Sequence, residues 1–201
     1  MMPLRKCVFF DRDGIVNRVP DPERYVLTWE AFHVNPEFPR CLQVVAAQGY
    51  EAAIVTNQRC ISQGLISVAA LEEMHDRLRG LLRVDSGAQL LDIVFCPHDR
   101  GVCACRKPLP GMLLGLAEKH GLDLGRSWMV GDAETDVETG RAAGCRTLRV
   151  APLSLPSQAD IRVASLSDLP GVLSQALDDS GPLFAANDSA RPGASHSKSR
   201  V

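Results

Sequence analysis

At 201 residues, with 45% hydrophobic and 23% charged side chains, the chain is sized for one domain with a full core and composed like an ordinary soluble globular protein. A formal net charge of −2 gives no hint of the strongly basic face of a nucleic-acid or anionic-lipid binder, so neither is expected as a partner. No apolar run reaches the roughly 18–20 residues that cross a bilayer. Residues 1–6 lack the apolar stretch of a secretory signal, so the cytoplasm is the expected location.

Short apolar runs alternate with amphipathic segments, which predicts an α/β fold: a Rossmann-like parallel sheet with helices on both faces. Residues 5–10 form the first predicted strand, ending in Asp11-Arg12-Asp13-Gly14, where Gly14 allows a sharp exit. A loop rich in proline and charge follows, and residues 38–48 form a helix closed by Gly49. Residues 52–55 are a second buried strand, running into Thr56-Asn57-Gln58. Ser67 caps a helix that extends to about residue 83. Residues 90–95 form a third strand, followed by a cysteine-rich loop and Arg106-Lys107-Pro108. Pro110-Gly111 opens a helix reaching Gly121, and residues 128–130 form a strand that runs into Gly131-Asp132. A helix from about residue 135 ends at Gly144, residues 145–150 form the last core strand, and a small strand and helix fall within 161–177. From residue 178 small and polar residues dominate, which predicts a domain over 1–177 and a disordered tail over 178–201.

The residues with chemistry gather at strand ends, on the sheet edge where open α/β sheets hold ligands. Asp11 and Asp13, spaced i, i+2, would converge on one side of an extended strand. Two carboxylates brought together repel, so the pair implies a divalent cation, a shared proton, or only a solvated turn. Thr56 and Asn57 could offer a hydroxyl, an amide and backbone N–H groups to an anion, or could simply make a turn. Arg106 and Lys107 precede Pro108, which directs the residue before it toward extended geometry. Asp132 and Asp136, at a strand-to-helix turn, could bind a cation or serve only capping and the helix dipole.

Seven cysteines, an odd count, argue against a disulfide framework. Cys96, His98, Cys103 and Cys105 make a C-x-H…C-x-C group that fits a closed tetrahedral Zn²⁺ site, structural because no position is left open. Such a zinc-binding loop would pin the segment carrying Arg106 and Lys107. Cys7, Cys41, Cys60 and Cys145 are expected as small buried apolar residues, while His33, His75, His120 and His196 carry no assignment.

D-x-D-G, Thr-Asn, Arg-Lys-Pro and G-D-x-x-x-D, in that order and each at a strand end, make the chain resemble the haloacid dehalogenase (HAD) superfamily of phosphatases over roughly residues 5–150. The resemblance implies roles residue by residue. Asp11 would be the nucleophile that forms an aspartyl-phosphate, and Asp13 the general acid and base. Asp11, the backbone carbonyl of Asp13, and Asp132 would hold Mg²⁺. Thr56 and Asn57 would grip the phosphoryl oxygens, Lys107 would offset negative charge, and Asp136 would orient Lys107 or a metal-bound water. Mg²⁺ and a lysine beside carboxylates meet a real need, since an arriving phosphoryl group would otherwise be repelled.

D-R-D-G-I-V-N, V-T-N-Q, the cysteine loop with R-K-P-x-P-G-M, and M-V-G-D-x-x-x-D further resemble the D-glycero-D-manno-heptose 1,7-bisphosphate 7-phosphatases, which lack a large cap domain. Histidinol-phosphate phosphatase domains share most of these motifs and are the alternative, with a non-catalytic phosphate-binding protein on the same fold as a third reading. The loops over 17–35, 57–66 and 96–106 would wall the pocket of a small-molecule phosphate ester, with Gln58, Arg59, Arg106 and Lys107 as binding candidates. A monomer is expected. Departures from the family pattern touch substrate binding rather than phosphate chemistry. Arg59, Cys60 and Gln63 replace the usual serine, glycine and arginine. Ala133 replaces a basic residue after the fourth-motif aspartate, and residues 20–25 replace a His-Gly-Tyr loop.

Overall fold

Four residues with no solvent exposure, Cys7–Phe10, form β1 at the middle of a parallel sheet. The computed structural model describes residues 3–19 and 25–178, so the predicted tail from residue 179 onward and most of the 20–25 departure lie outside the described residues. In chain order the elements are β1, α1 (Phe38–Ala47), β2 (Glu51–Asn57), α2 (Val68–Ser86), β3 (Asp92–Cys96) and α3 (Gly111–His120). Then come β4 (Trp128–Gly131), α4 (Glu134–Ala143), β5 (Arg146–Val150), β6 (Ile161–Val163) and α5 (Leu169–Ala176). Among the described residues the sheet has six strands in the order β3-β2-β1-β4-β5-β6.

Alternation along β1 builds two cores. Val8 and Phe10 face α1, α2 and α5, joined by Ile54, Trp128, Val130, Leu42 and Leu173. Cys7 and Phe9 face the opposite layer, with Val55, Met129, and Met112, Leu113 and Leu116 of α3. A strand buried on both faces must be apolar throughout, which is why CVFF carries no polar side chain. The predicted Rossmann-like architecture with helices on both faces is therefore present.

Boundaries move in two places that matter. β2 runs through Asn57 rather than stopping at residue 55, so Thr56 and Asn57 are its last rungs, paired with Phe95 and Cys96. β3 starts at Asp92 and includes Cys96, which fixes the first thiol of the cysteine group on the sheet. Ser67 does cap α2, accepting a hydrogen bond from the Ala70 N–H at 3.1 Å.

Asp92, at the start of β3, ties two helices to the sheet. It accepts from Arg79 of α2 at 3.2 Å and from Lys119 and His120 of α3, both at 2.9 Å. Burial opposes its ionisation, but hydrogen bonds from Lys119 and His120 outweigh that and hold its carboxyl below the usual range. A depressed carboxylate adds stability above its unfolded value, near 3.9, that is lost as the pH falls through the folded value. Asp92→Asn is expected to destabilise by about 1 kcal/mol at neutral pH, partial exposure having been discounted. Urea melts should show this difference at about pH 7 and a smaller one toward about pH 3.

Candidate active site

β3-β2-β1 and β4-β5-β6 wind away from one another, so the sheet has its topological switch between β1 and β4. Helices leave in opposite directions there and open a crevice at the carboxyl ends of both strands. Asp11 follows β1 and Asp132 follows β4; with Asp136 of α4 their carboxylate oxygens lie within 4.8 Å of one another. Gly14 makes the approach possible. It sits at φ 95°, in the left-handed region, and a Cβ there would collide with the Asp132 carboxylate. Gly131 likewise leaves the space that the Asp136 side chain fills.

Lys107 supplies the counter-charge. Its side chain is 3% exposed, and its ammonium lies 2.7 Å from Asp11 Oδ1, 2.7 Å from Asp136 Oδ1 and 3.1 Å from the Val55 carbonyl. The ammonium thus has two carboxylates and a carbonyl oxygen within 3.1 Å. Burial alone would strip its proton; Asp11 and Asp136 outweigh burial and raise its pKa. Burial pushes Asp11 up to about 8, opposed by Lys107 and reinforced by Asp136 and Asp132. Asp132 rises to about 6 through burial and the neighbouring Asp136. An all-oxygen donor set of like charges, held close by the fold, suits a hard divalent cation such as Mg²⁺.

Asp13 does not join this cluster, contrary to the convergence expected from i, i+2 spacing. β1 ends at Phe10, so strand alternation no longer governs Asp13. Its carboxylate is drawn instead to Arg12 Nη2 at 3.0 Å, Asn17 Nδ2 at 3.0 Å and Gln58 Nε2 at 2.8 Å. Burial would raise its pKa, but the Arg12 charge and the hydrogen bonds from Asn17, Arg12 and Gln58 prevail and lower it. Any share of Asp13 in holding a cation therefore falls to its backbone.

The candidate residues on β2 and beyond also take specific positions. Thr56 is buried, its hydroxyl accepting from Gln58 Nε2 at 2.9 Å. Both ends of the Asn57 amide are committed to the Lys107 main chain, at 3.0 Å and 3.1 Å, so this side chain positions the lysine. Gln58 has no exposure, and its Nε2 donates to Asp13 Oδ2 at 2.8 Å. Arg59 is engaged by Asp99 of the cysteine loop at 2.9 Å and 3.0 Å. Lys107 lies in a turn, joined to Pro108 by a cis peptide bond, rather than in an extended segment. A cleft of about 410 Å³ beside it is lined by Asn57, Arg100, Cys103, Arg106, Lys107 and Thr135, with no described residue of the 17–35 loop.

The second cluster closes on itself. Cys96 Sγ lies 3.6 Å from His98 Nδ1, 3.6 Å from Cys103 Sγ and 3.3 Å from Cys105 Sγ, and Cys105 Sγ is 3.4 Å from His98 Nδ1. Tetrahedral ligands at zinc distances stand about 3.5–3.8 Å apart, so the four donors fit a Zn²⁺ site. The other four cysteines are buried as expected.

Three positions escaped the sequence reading. Arg12, between two aspartates, looks solvated in the sequence yet is wholly buried, with the Phe32 ring 5.5 Å away. His75 falls on the same face of α2 as Leu71, Leu78 and Leu82, a stripe visible in the sequence, and its Nε2 is 3.2 Å from Arg12 Nη1. Burial and the Arg12 charge lower the His75 pKa to about 3, so the ring is neutral and accepts from the guanidinium. Asn17 bridges Asp13 and the Arg18 carbonyl.

Residues 104–152 match the HAD-hydrolase-like family model. The D-glycero-β-D-manno-heptose-1,7-bisphosphate 7-phosphatase of Pseudomonas aeruginosa is 38% identical over 148 residues, 73% of this chain and 81% of the relative. A Photorhabdus laumondii enzyme named for the α anomer is 34% identical over 147 residues, 69% of this chain and 78% of its own. The crystal structure of D,D-heptose 1,7-bisphosphate phosphatase from B. bronchiseptica, complexed with magnesium and phosphate, superposes with a TM-score of 0.74 at 29% identity. The superposition covers 85% of this chain and 99% of that one.

Two outcomes follow from the carboxylate cluster. A carboxyl whose pKa is raised by folding destabilises the metal-free protein as pH climbs past the unfolded value toward the folded one, about 6 for Asp132. A cation must displace those protons, so the thermal shift produced by Mg²⁺ should be larger at about pH 7.5 than at about pH 5.5. Gly14→Ala should lose most of that shift at either pH, because its methyl group displaces Asp132.

Proposed function

The chain belongs to the haloacid dehalogenase-like phosphatases, and from that premise we propose that it removes the 7-phosphate of a D-glycero-D-manno-heptose 1,7-bisphosphate with the help of Mg²⁺. The observation that carries the reading is the Lys107 ammonium held between Asp11 and Asp136 at the crevice where Asp132 converges. This charge pattern accepts a phosphoryl dianion beside a carboxylate nucleophile.

In the first step Asp11 attacks phosphorus, the ester P–O bond breaks, and Asp13 gives a proton to the departing sugar oxygen. In the second, water attacks the aspartyl-phosphate, passes its proton to Asp13, and the bond to Asp11 breaks to release phosphate. Arg12, Asn17 and Gln58 favour the ionised Asp13 that the second step needs. The arriving dianion raises its proton affinity for the first. Lys107 offsets charge on Asp11 and on the phosphoryl oxygens, and Asp136 and Asn57 fix its position. Thr56 lies beside the phosphoryl path. Asp11, Asp132 and the Asp13 backbone would hold Mg²⁺, which supplies electrostatic stabilisation of the phosphoryl group when bound.

The cysteine loop would hold a structural Zn²⁺ through Cys96, His98, Cys103 and Cys105, keeping Arg106 and Lys107 in place. Arg106 and Arg100 on the cleft wall would meet the distal phosphate, because Arg59 is occupied by Asp99. The free thiols, and a chain in which no described helix is long and apolar enough to cross a membrane, support a cytoplasmic setting.

Asp11→Asn should reduce Mg²⁺-dependent phosphate release to background while the melting temperature is held or raised, since one buried like charge is removed; continued turnover would refute the nucleophile. kcat/KM should be higher for heptose 1,7-bisphosphates than for histidinol phosphate, and the reverse order would reassign the substrate. Metal analysis should find about one zinc per chain, with chelation lowering the melting temperature.

A further inference from the structure

Asp132 has to be pressed against two other carboxylates, and its turn carries Ala133 where a basic residue is usual. What holds that turn comes from another strand. Arg149 of β5 lies opposite Gly131 in the parallel ladder. Its Nε donates to the Asp132 carbonyl at 3.0 Å, and its Nη1 donates to Glu134 Oε2 at 2.8 Å and to the Pro156 carbonyl at 2.9 Å. The Arg149 side chain is 12% exposed and Glu134 33%, so the pair is partly shielded from water. Glu134 is the first residue of α4, where a carboxylate complements the helix dipole. Its second oxygen accepts from the Gln158 N–H at 2.9 Å, and the Gln158 carbonyl accepts from Arg141 at 2.8 Å.

The Asp132–Ala133 turn is thus held from both sides. Arg149 fixes the carbonyl of Asp132, and Asp136 Oδ2 accepts the Ala133 N–H at 3.1 Å. From this clamped backbone the Asp132 side chain reaches into the space left by Gly14, beside Asp11 and Asp136.

We propose that Arg149 is a positioning residue for the divalent cation: by clamping the Asp132 carbonyl and pairing with Glu134, it supplies from β5 the order that the chain lacks at position 133. The inference rests on the phosphatase reading for its purpose, but it predicts binding of the cation itself. Groups one layer behind metal ligands typically contribute about 10- to 100-fold in affinity. Arg149 touches no part of the phosphate path, so its removal should leave KM for the ester unchanged.

The test uses the full-length chain, freed of Mg²⁺ with its cysteine loop intact, titrated with Mn²⁺ alone and followed by the loss of the free-ion electron paramagnetic resonance signal. Arg149→Met should raise the Mn²⁺ Kd by about tenfold or more, with Arg149→Lys intermediate. Saturating Mg²⁺ should then restore kcat, a rescue that a generally loosened fold would not show. A folded Arg149→Met protein with the wild-type Kd would overturn the proposal. Should that variant fail to fold, Glu134→Ala decides: a weakened Kd supports the clamp and an unchanged one overturns it. A wild-type chain that binds Mn²⁺ but hydrolyses no phosphate ester would refute the phosphatase reading while leaving the clamp standing; one that binds no Mn²⁺ would refute the clamp.

Discussion

A lysine ammonium with almost no access to water is the constraint around which the site is built. Burial of Lys107 is unfavourable unless every N–H finds an acceptor, and Asp11, Asp136 and the Val55 carbonyl provide all three. Those acceptors come from β1, α4 and β2, so one ion cluster joins both halves of the sheet at the switch point. Removing the lysine, which would leave buried carboxylates uncompensated, typically costs about 3–5 kcal/mol. The charges that the fold brings together here are the ones a phosphoryl group would meet.

Around that centre, two aspartates two residues apart are given opposite environments. Asp11 is surrounded by other carboxylates and burial, which resist its ionisation. Asp13 is surrounded by Arg12, Asn17 and Gln58, which favour it. Behind Asp13 the chain continues to a neutral histidine on α2, so a guanidinium with no solvent contact is satisfied on both sides. Separate roles for two chemically identical groups follow from their neighbours, not from their own chemistry.

Three of the positions where this chain departs from the family pattern have local partners. Arg59 is neutralised by Asp99, linking the end of β2 to the cysteine loop. Cys60 is buried with its thiol toward Gln58, 3.4 Å from Oε1, in the shell that braces Asp13. Ala133 lacks a charged side chain, but Arg149 reaches the same turn from β5.

Strand and helix order, helices on both sheet faces, the edge carrying the site, and the cysteine–histidine group were all legible in the sequence. Each is written in short-range patterns of apolar periodicity, glycine placement and ligand spacing. Arg12, His75 and Arg149 were not, because their significance depends on partners from 1 to 63 positions away that only the folded chain assembles. Gln58 and Asn57 sit within a motif visible in the sequence, yet whether an amide faces a substrate or braces a neighbour is decided by which strand stands behind it. The sequence by itself determined the chemical inventory and its order along the sheet edge, since both follow from local pattern. Tertiary structure alone decided which carboxylate meets the lysine and which strand holds the third in place, because those are long-range contacts with no periodicity to betray them.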